Sequence, residues 1–461
     1  MQLNYEFKNA WKGMSPCEKE EVMAYCQRYK KFLDEGKTER ECTRFIADVA
    51  RKNGFVDFRD MKDGELSAGD KVYFENRGKG AALFIIGKED IEKGMNIVGG
   101  HIDSPRLDLK PFPLYEESEM ALLKTHYYGG VKKYQWASIP LSLHGVIIKT
   151  SGEAVNINIG EDNDDPVFYI SDLLPHLAKD QMQKKASEFI TGEGLNIIAG
   201  SMPDPDEEKN AIKMNVLKLL NEKYGMVEED FISAELQVVP AGKARDVGLD
   251  RSLMAAYGHD DRVCSFACLE ALLEVESPQR TCVAVFADKE EIGSVGNTGM
   301  ESKFFENAVA ELINLQGDYN ELKLKRAFAS TKVLSADVTA GFDSNFPEVM
   351  DKKNSAYIGK GLVIAKYTGA RGKSGCNDAN AEFVASVRNI FNENGVVWQI
   401  GELGKVDQGG GGTIAYILAN YGAEVVDCGV ALLSMHAPME LASKVDAYMA
   451  KKGYLAFLKN A

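Results

Sequence analysis

The sequence predicts an α/β protein whose main domain is interrupted by a β-rich insertion, and three observations carry that expectation. Helix-period segments alternate with short apolar strand-like runs at both ends of the chain. From Lys110 to about Arg245 the texture changes to extended segments, PLSLHGVIIKT, AVNINIG and DPVFYISDL, with a polar helix near 206 to 224. After Arg245 the alternation resumes. The two ends therefore form one discontinuous domain, 1–109 with 246–461, around an inserted domain, 110–245.

In chain order, Ser15-Pro16-Cys17-Glu18 reads as a capping box with proline at the first helical position, and Val22, Cys26, Tyr29 and Leu33 follow at helical spacing until Gly36. A second helix is expected from Thr38 to Asn53, stopped by Gly54; ALFIIG and MNIVGGHID then read as short buried strands. Beyond the insertion come helix DRVCSFACLEALLEV, strands TCVAVFAD, KVLSADV and GLVIAKY, helix DANAEFVASVRNIFNENG, strand VVWQIGEL and helix TIAYILANYG. The acidic run Glu161 to Asp165 lacks the glycine and closing glutamate of a calcium loop and reads as a solvated turn.

Composition excludes several functions. The 461 residues carry 54 Lys+Arg against 69 Asp+Glu, a net charge of −15, with no basic run to offset it. Such a surface repels phosphate backbones and anionic lipid, so neither nucleic acid nor membrane is an expected partner. No apolar run reaches membrane-span length and the N-terminus has no signal-peptide core. Eight cysteines without a CxxC pair fit reduced thiols in a cytoplasmic protein. Gly409 to Gly412 is followed by no Gly-Lys-[Ser/Thr], which argues against a nucleotide site.

The chemistry lies in a few polar residues at the ends of apolar runs. Only six histidines occur, and His101 and His436 both close strand-like segments, the edge at which open α/β sheets bind ligands. Asp260-Asp261 opens a helix, Asp288 to Glu291 ends TCVAVFA, and Asp337 ends KVLSA. Carboxylates delivered together to one edge cost several kcal/mol unless a dication compensates them. Two imidazoles with several carboxylates suit Zn²⁺ better than Mg²⁺, and a bridging carboxylate would let two ions share the set. In the adjacent pair Glu290-Glu291, neighbours on an extended segment point apart, so one can ligate while the other serves as base. This pattern indicates metal-assisted hydrolysis.

The ordered motifs GGHIDSPRLDLKP, GHDDRVCSFA, ADKEEIGSVG, SADV and MHAPME resemble those of the M18 aspartyl aminopeptidase family across nearly the whole chain, and YGGVKKYQWASIPLSLHG and LLPHLA resemble its inserted dimerisation domain. The resemblance implies a central mixed sheet flanked by helices and two Zn²⁺ per subunit, with Mn²⁺ or Co²⁺ as substitutes. It implies that His101, Asp337 and a bridging Asp260 hold one ion, and that His436, Glu291 and the same Asp260 hold the other. Glu290 matches the general base and Asp103 the residue orienting His101. It further implies peptide substrates with acidic N-termini and a homo-oligomer, commonly a tetrahedral dodecamer. The chain departs from the family at His259, which stands beside Asp260 and is expected to pack, and at Lys179 and Asp180, where relatives can carry a histidine that acts on a neighbouring subunit. His126, His144 and His176 are expected to be structural or interfacial.

Two segments are candidates for substrate contact. The glycine run with Gly410 and Gly411 precedes a helix, and in M18 relatives the corresponding segment lies beside the cleft. The stretch Ala365 to Lys373 holds three cations and no acid, and Arg371 or Lys373 is the expected partner of an acidic substrate side chain. The rival readings are a metalloaminopeptidase of broad or neutral specificity and a non-catalytic scaffold or cargo protein of the same fold; the second predicts decay of the metal constellation, which is complete here.

Overall fold

The computed structural model describes residues 3–62, 66–317 and 319–461, and the chain folds as two compact units. The first comprises Met1–Asp103, Ala244–Met435 and Glu440–Ala461; the second comprises Ser104–Lys243 with His436–Met439.

The first unit is built on a nine-stranded mixed sheet in the order 56–57, 71–75, 81–85, 281–287, 95–101, 332–335, 424–429, 362–365, 398–400. Its four central strands, Thr281–Ala287, Met95–His101, Lys332–Ser335 and Glu424–Gly429, run parallel, so their carboxyl ends finish on one edge. Parallel strands buried on both faces read as continuous apolar runs, and TCVAVFA is buried at every position. Cys282, Ala284 and Phe286 enter one core with the helices Pro16–Glu35, His259–Leu273 and Lys444–Asn460, whereas Val283, Val285 and Ala287 enter the other with Phe304–Leu315 and Glu321–Ala329. Helices thus cover both faces, the three-layer α/β arrangement that the alternation predicts. A second, five-stranded sheet includes Leu253–Ala256, Glu440–Ser443 and Ala431–Leu433.

The first helix starts as expected: the Ser15 hydroxyl accepts the Glu18 amide while the Glu18 carboxylate accepts that of Ser15, and Val22, Cys26, Tyr29 and Leu33 are buried. Thr38 and Glu41 form the same box for Glu39–Lys52. The last expected helix is shorter than its pattern, Ala415–Ala419, and the Thr413 hydroxyl accepts the Ala415 amide ahead of its first turn.

The second unit is a six-stranded antiparallel sheet, in the order 154–159, 141–148, 234–240, 106–117, 120–128, 197–200, with the helix Ala211–Tyr224. The segment DPVFYISDL, expected to be extended, forms isolated bridges, Leu141 with Phe168 and Tyr169 with Ile198, and no continuous strand. Pro166 brings no amide hydrogen to a ladder. In the acidic run before it, Asp165 accepts the Gly160 amide and Glu161 contacts Ser142 and His144, so these groups serve a turn.

Candidate metal centre

The centre of the first unit lies where the parallel strands end. His101 closes its strand in register with Ala287, and Asp337 follows the neighbouring strand two residues beyond Ser335, itself paired with Gly99. Asp260 opens the helix that packs beneath them. One donor atom each from His101, Asp260 and Asp337 lies within 4.8 Å of the others, and the same holds for His101, Glu290 and Glu291. His101 Nε2 is 3.1 Å from Asp260 Oδ1, 3.8 Å from Glu290 Oε2 and 4.0 Å from Asp337 Oδ1.

Supporting contacts fix each donor. His101 Nδ1 meets the Asp103 carbonyl at 3.0 Å and its Oδ1 at 3.3 Å, which leaves Nε2 directed at the acids. Asp103 is also a clamp: Oδ1 accepts the Glu290 amide at 3.1 Å and Oδ2 the Glu291 amide at 3.2 Å. These two glutamates occupy a 3₁₀ turn, Glu290–Ile292, entered through Lys289 in the left-handed region, so the extended geometry expected for the pair is corrected. The distant Asp103 imposes this shape, since two successive amides aimed at one carboxylate require a turn.

Two supporting acids had no expected role. Asp261 Oδ2 accepts the His101 amide at 3.2 Å, and Glu440 Oε2 accepts the Asp260 amide at 2.9 Å across 180 residues. The only sequence signals were adjacency to Asp260 and the last letter of MHAPME. Gly100 admits Asp261: a β-carbon there would lie 2.2 Å from Asp261 Oδ2 and 2.6 Å from the Ala336 carbonyl oxygen. His259 is buried against Tyr29, whose hydroxyl is 2.7 Å from Nδ1, while Nε2 faces the Met254 carbonyl at 3.2 Å. Burial pushes its imidazole down to about 4, so His259 packs as a neutral ring.

The electrostatics call for positive charge. Burial pushes the Asp337 carboxyl well above the usual range, and Glu290 pushes it further. Burial favours neutral His101, yet the contacts to Asp103 and Asp260 and the charge of Glu290 outweigh it and push the imidazole above its usual range. One imidazole among carboxylates gathered at a strand edge is a donor set that accommodates a borderline dication.

His436 adopts a left-handed conformation in the turn between Ala431–Leu433 and Glu440–Ser443, and its Nδ1 meets the Gly130 carbonyl at 2.9 Å. His126 contacts the Tyr127 carbonyl, His144 is buried beside Ser142 and Glu161, and His176 is exposed.

The two candidate substrate segments come together. The Gly411 amide donates to the Thr368 carbonyl at 3.1 Å, and a β-carbon on Gly410 would lie 2.3 Å from Ala370 Cα. Lys373 pairs with Asp378 at 2.9 Å and covers the Tyr367 ring, whereas Arg371 is exposed and pairs with no carboxylate among the described residues. Just beyond, the Tyr416 hydroxyl donates to Glu301 at 2.7 Å, which pushes its phenol up to about 12, with a smaller contribution from the charge of Glu290.

Among the described residues no helix is long and apolar enough to cross a membrane. The family model for Aminopeptidase I zinc metalloprotease (M18) matches residues 32–458. A relative from Clostridium acetobutylicum named "Probable M18 family aminopeptidase 1" is 57% identical over 458 residues, 99% of this chain and 98% of its own. A crystal structure of an M18-family aminopeptidase from Thermotoga maritima superposes with a TM-score of 0.95 at 47% identity, covering 99% of this chain and 100% of that one. The crystal structure of aminopeptidase I from C. acetobutylicum gives 0.92 at 53% identity, with 99% and 100% covered. An α/β fold of that architecture, a strand-edge cluster suited to zinc and a family match over nearly the whole length agree: the chain belongs to the M18 family of zinc metalloaminopeptidases.

Proposed function

We propose that this aminopeptidase works with two zinc ions and prefers peptides that begin with Asp or Glu. The observation that carries the reading is the convergence of His101, Asp260, Asp337, Glu290 and Glu291 on one strand edge. His101, Asp260 and Asp337 are assigned to one ion; Asp260, Glu291 and His436 are assigned to the other. In support of the second set, Glu291 shares the clamped turn with Glu290, and His436 lies in the turn that leads into Glu440, the acceptor of the Asp260 amide. When bound, zinc polarises the scissile carbonyl and makes water a nucleophile near neutral pH. Glu290 accepts the proton of the attacking water and returns it to the departing amine. Asp103 holds that glutamate and the His101 tautomer in place.

The acidic preference is assigned to Arg371. Its guanidinium offers a bidentate grip on a carboxylate, and its loop packs against the glycine segment on which substrate backbone is expected to lie. The net charge of −15 opposes acidic peptides only at long range, because charges beyond a Debye length of about 8 Å are screened at 0.15 M salt. Wild-type enzyme is expected to show higher kcat/KM for Asp- and Glu-initiated peptides than for Leu- or Ala-initiated ones. Arg371→Ala is expected to remove about 10- to 100-fold from the acidic substrates and to leave the neutral ones within about threefold. Wild-type preference for Leu or Ala would overturn acidic specificity and leave the metalloaminopeptidase standing.

Self-assembly through the inserted domain, 110–245, is part of this reading. Of 27 exposed large apolar side chains among the described residues, 14 lie between Phe112 and Ile232, including Leu173, Leu174, Leu177 and Met182. Obligate interfaces cover such surface. Light scattering at micromolar concentration should find a homo-oligomer, and a monomer would contradict the assignment. Eight free cysteines, six of them buried, suit the reducing cytoplasm proposed as its location.

A further inference from the structure

Asp427 is a buried acid that the proposed reaction does not use. It lies in the strand Glu424–Gly429, directly in register with Ser335 of the neighbouring strand, and is 2% exposed. Two residues beyond Ser335 the chain reaches Asp337, so Asp427 sits beside the strand that carries a ligand of the centre. Burial pushes its carboxyl up to about 6, while Thr413 and Ser335 pull in the opposite direction.

Its described hydrogen bond leads to the glycine segment. The Thr413 hydroxyl donates to Asp427 Oδ1 at 2.7 Å and accepts the Ala415 amide at 3.3 Å, so its proton and lone pair are both directed. Thr413 immediately follows Gly409 to Gly412, four residues with no side chain of their own to anchor them. The first of them is tied to the preceding turn, the Gly409 amide donating to the Lys405 carbonyl at 3.2 Å, and the middle of the segment is tied to the basic loop through the Gly411 amide on Thr368 and the close packing of Gly410 on Ala370. Just after that loop, the Asn377 side-chain Nδ2 donates to the Val425 carbonyl of the strand bearing Asp427 at 2.6 Å. Strand Glu424–Gly429 is thus the shared floor of both candidate substrate segments.

We propose that Asp427 is a positioning residue for substrate, holding the Gly409–Gly412 segment through Thr413 so that its backbone and Arg371 present a preformed seat for the N-terminal residue of the peptide. This rests on the substrate placement given under the proposed function. A seat that is already ordered spares the substrate the entropy of ordering it, so loss of the tie weakens substrate binding more than it slows the chemical step.

The test is steady-state kinetics on the zinc-loaded full chain with Asp- and Leu-initiated peptides, with bound zinc measured in parallel. Thr413→Val and Asp427→Ala are each expected to raise KM about tenfold or more with kcat within about threefold and zinc content unchanged. Thr413→Ser and Asp427→Asn, which keep the hydroxyl and its acceptor, should restore KM to within about threefold of wild type, and the Val/Ala double variant should be no worse than the poorer single one. Because Thr413 is only partly buried, its valine variant decides the matter if Asp427→Ala does not fold. Unchanged KM in Thr413→Val, or a fall in kcat and zinc content at constant KM, overturns the proposal while leaving the aminopeptidase reading intact. A wild-type chain that hydrolyses no N-terminal peptide bond in the presence of zinc overturns both.

Discussion

Replacing Glu290 by Gln is expected to lower kcat by about 10² to 10⁴ while the fold and the bound zinc persist. The amide fills the same volume and keeps the backbone contact to Asp103, since the Glu290 N–H and not its side chain donates there. What it loses is a basic oxygen able to take a proton from water. Glu291→Gln is expected to behave differently, losing zinc and activity together, because that carboxylate is assigned as a ligand. Kinetics with parallel zinc analysis separate the two. Near-wild-type activity in Glu290→Gln, with Glu291→Gln retaining its zinc yet inactive, would exchange the roles of the two residues.

Asp260→Asn is expected to weaken zinc binding at both positions, by at least about 100-fold, and to abolish activity at limiting metal. Asp260 is the one residue assigned to both ions, and its carboxylate already lies 3.1 Å from His101 Nε2. Its backbone is held by Glu440, which is paired with Ala256 on the strand that leads into Asp260, so the side chain has little freedom to compensate for a lost charge. His436→Ala is expected to lower the occupancy of one ion only. Competition titrations against a chromogenic chelator read both; small and equal losses in the two variants would argue against a bridging Asp260.

Much of this centre was legible because backbone topology does the gathering. Once MNIVGGH, TCVAVFA and KVLS are read as strands of one sheet, and pair in parallel, their last residues arrive on one edge, which places His101, the segment that carries Glu290 and Asp337 together. Helix starts were legible for a similar reason: a capping box satisfies its donors within four residues, as at Ser15 and Thr38. Contacts between distant segments were not. The Glu440 carboxylate meets the Asp260 amide only after the strands Leu253–Ala256 and Glu440–Ser443 have paired, and no local period marks it. The Glu290-Glu291 turn was missed because its shape is imposed by Asp103, 187 residues away in sequence from the Glu290 amide it accepts. In the inserted segment, DPVFYISDL read as extended, yet Pro166 and the preceding acidic turn leave only isolated bridges. Lys373 illustrates the limit for specificity: composition put three cations in one loop, but folding pairs this one with Asp378 and leaves Arg371 exposed.

The central claim is that zinc held by this strand-edge cluster drives removal of N-terminal residues. It is tested most directly by stripping the purified chain with a chelator, dialysing, and measuring hydrolysis of a short peptide and metal content before and after zinc is restored. The account predicts loss of all measurable hydrolysis with the metal, recovery on adding Zn²⁺, and release of the N-terminal residue as the product. Full activity in the metal-free chain, or cleavage confined to internal bonds, would contradict it.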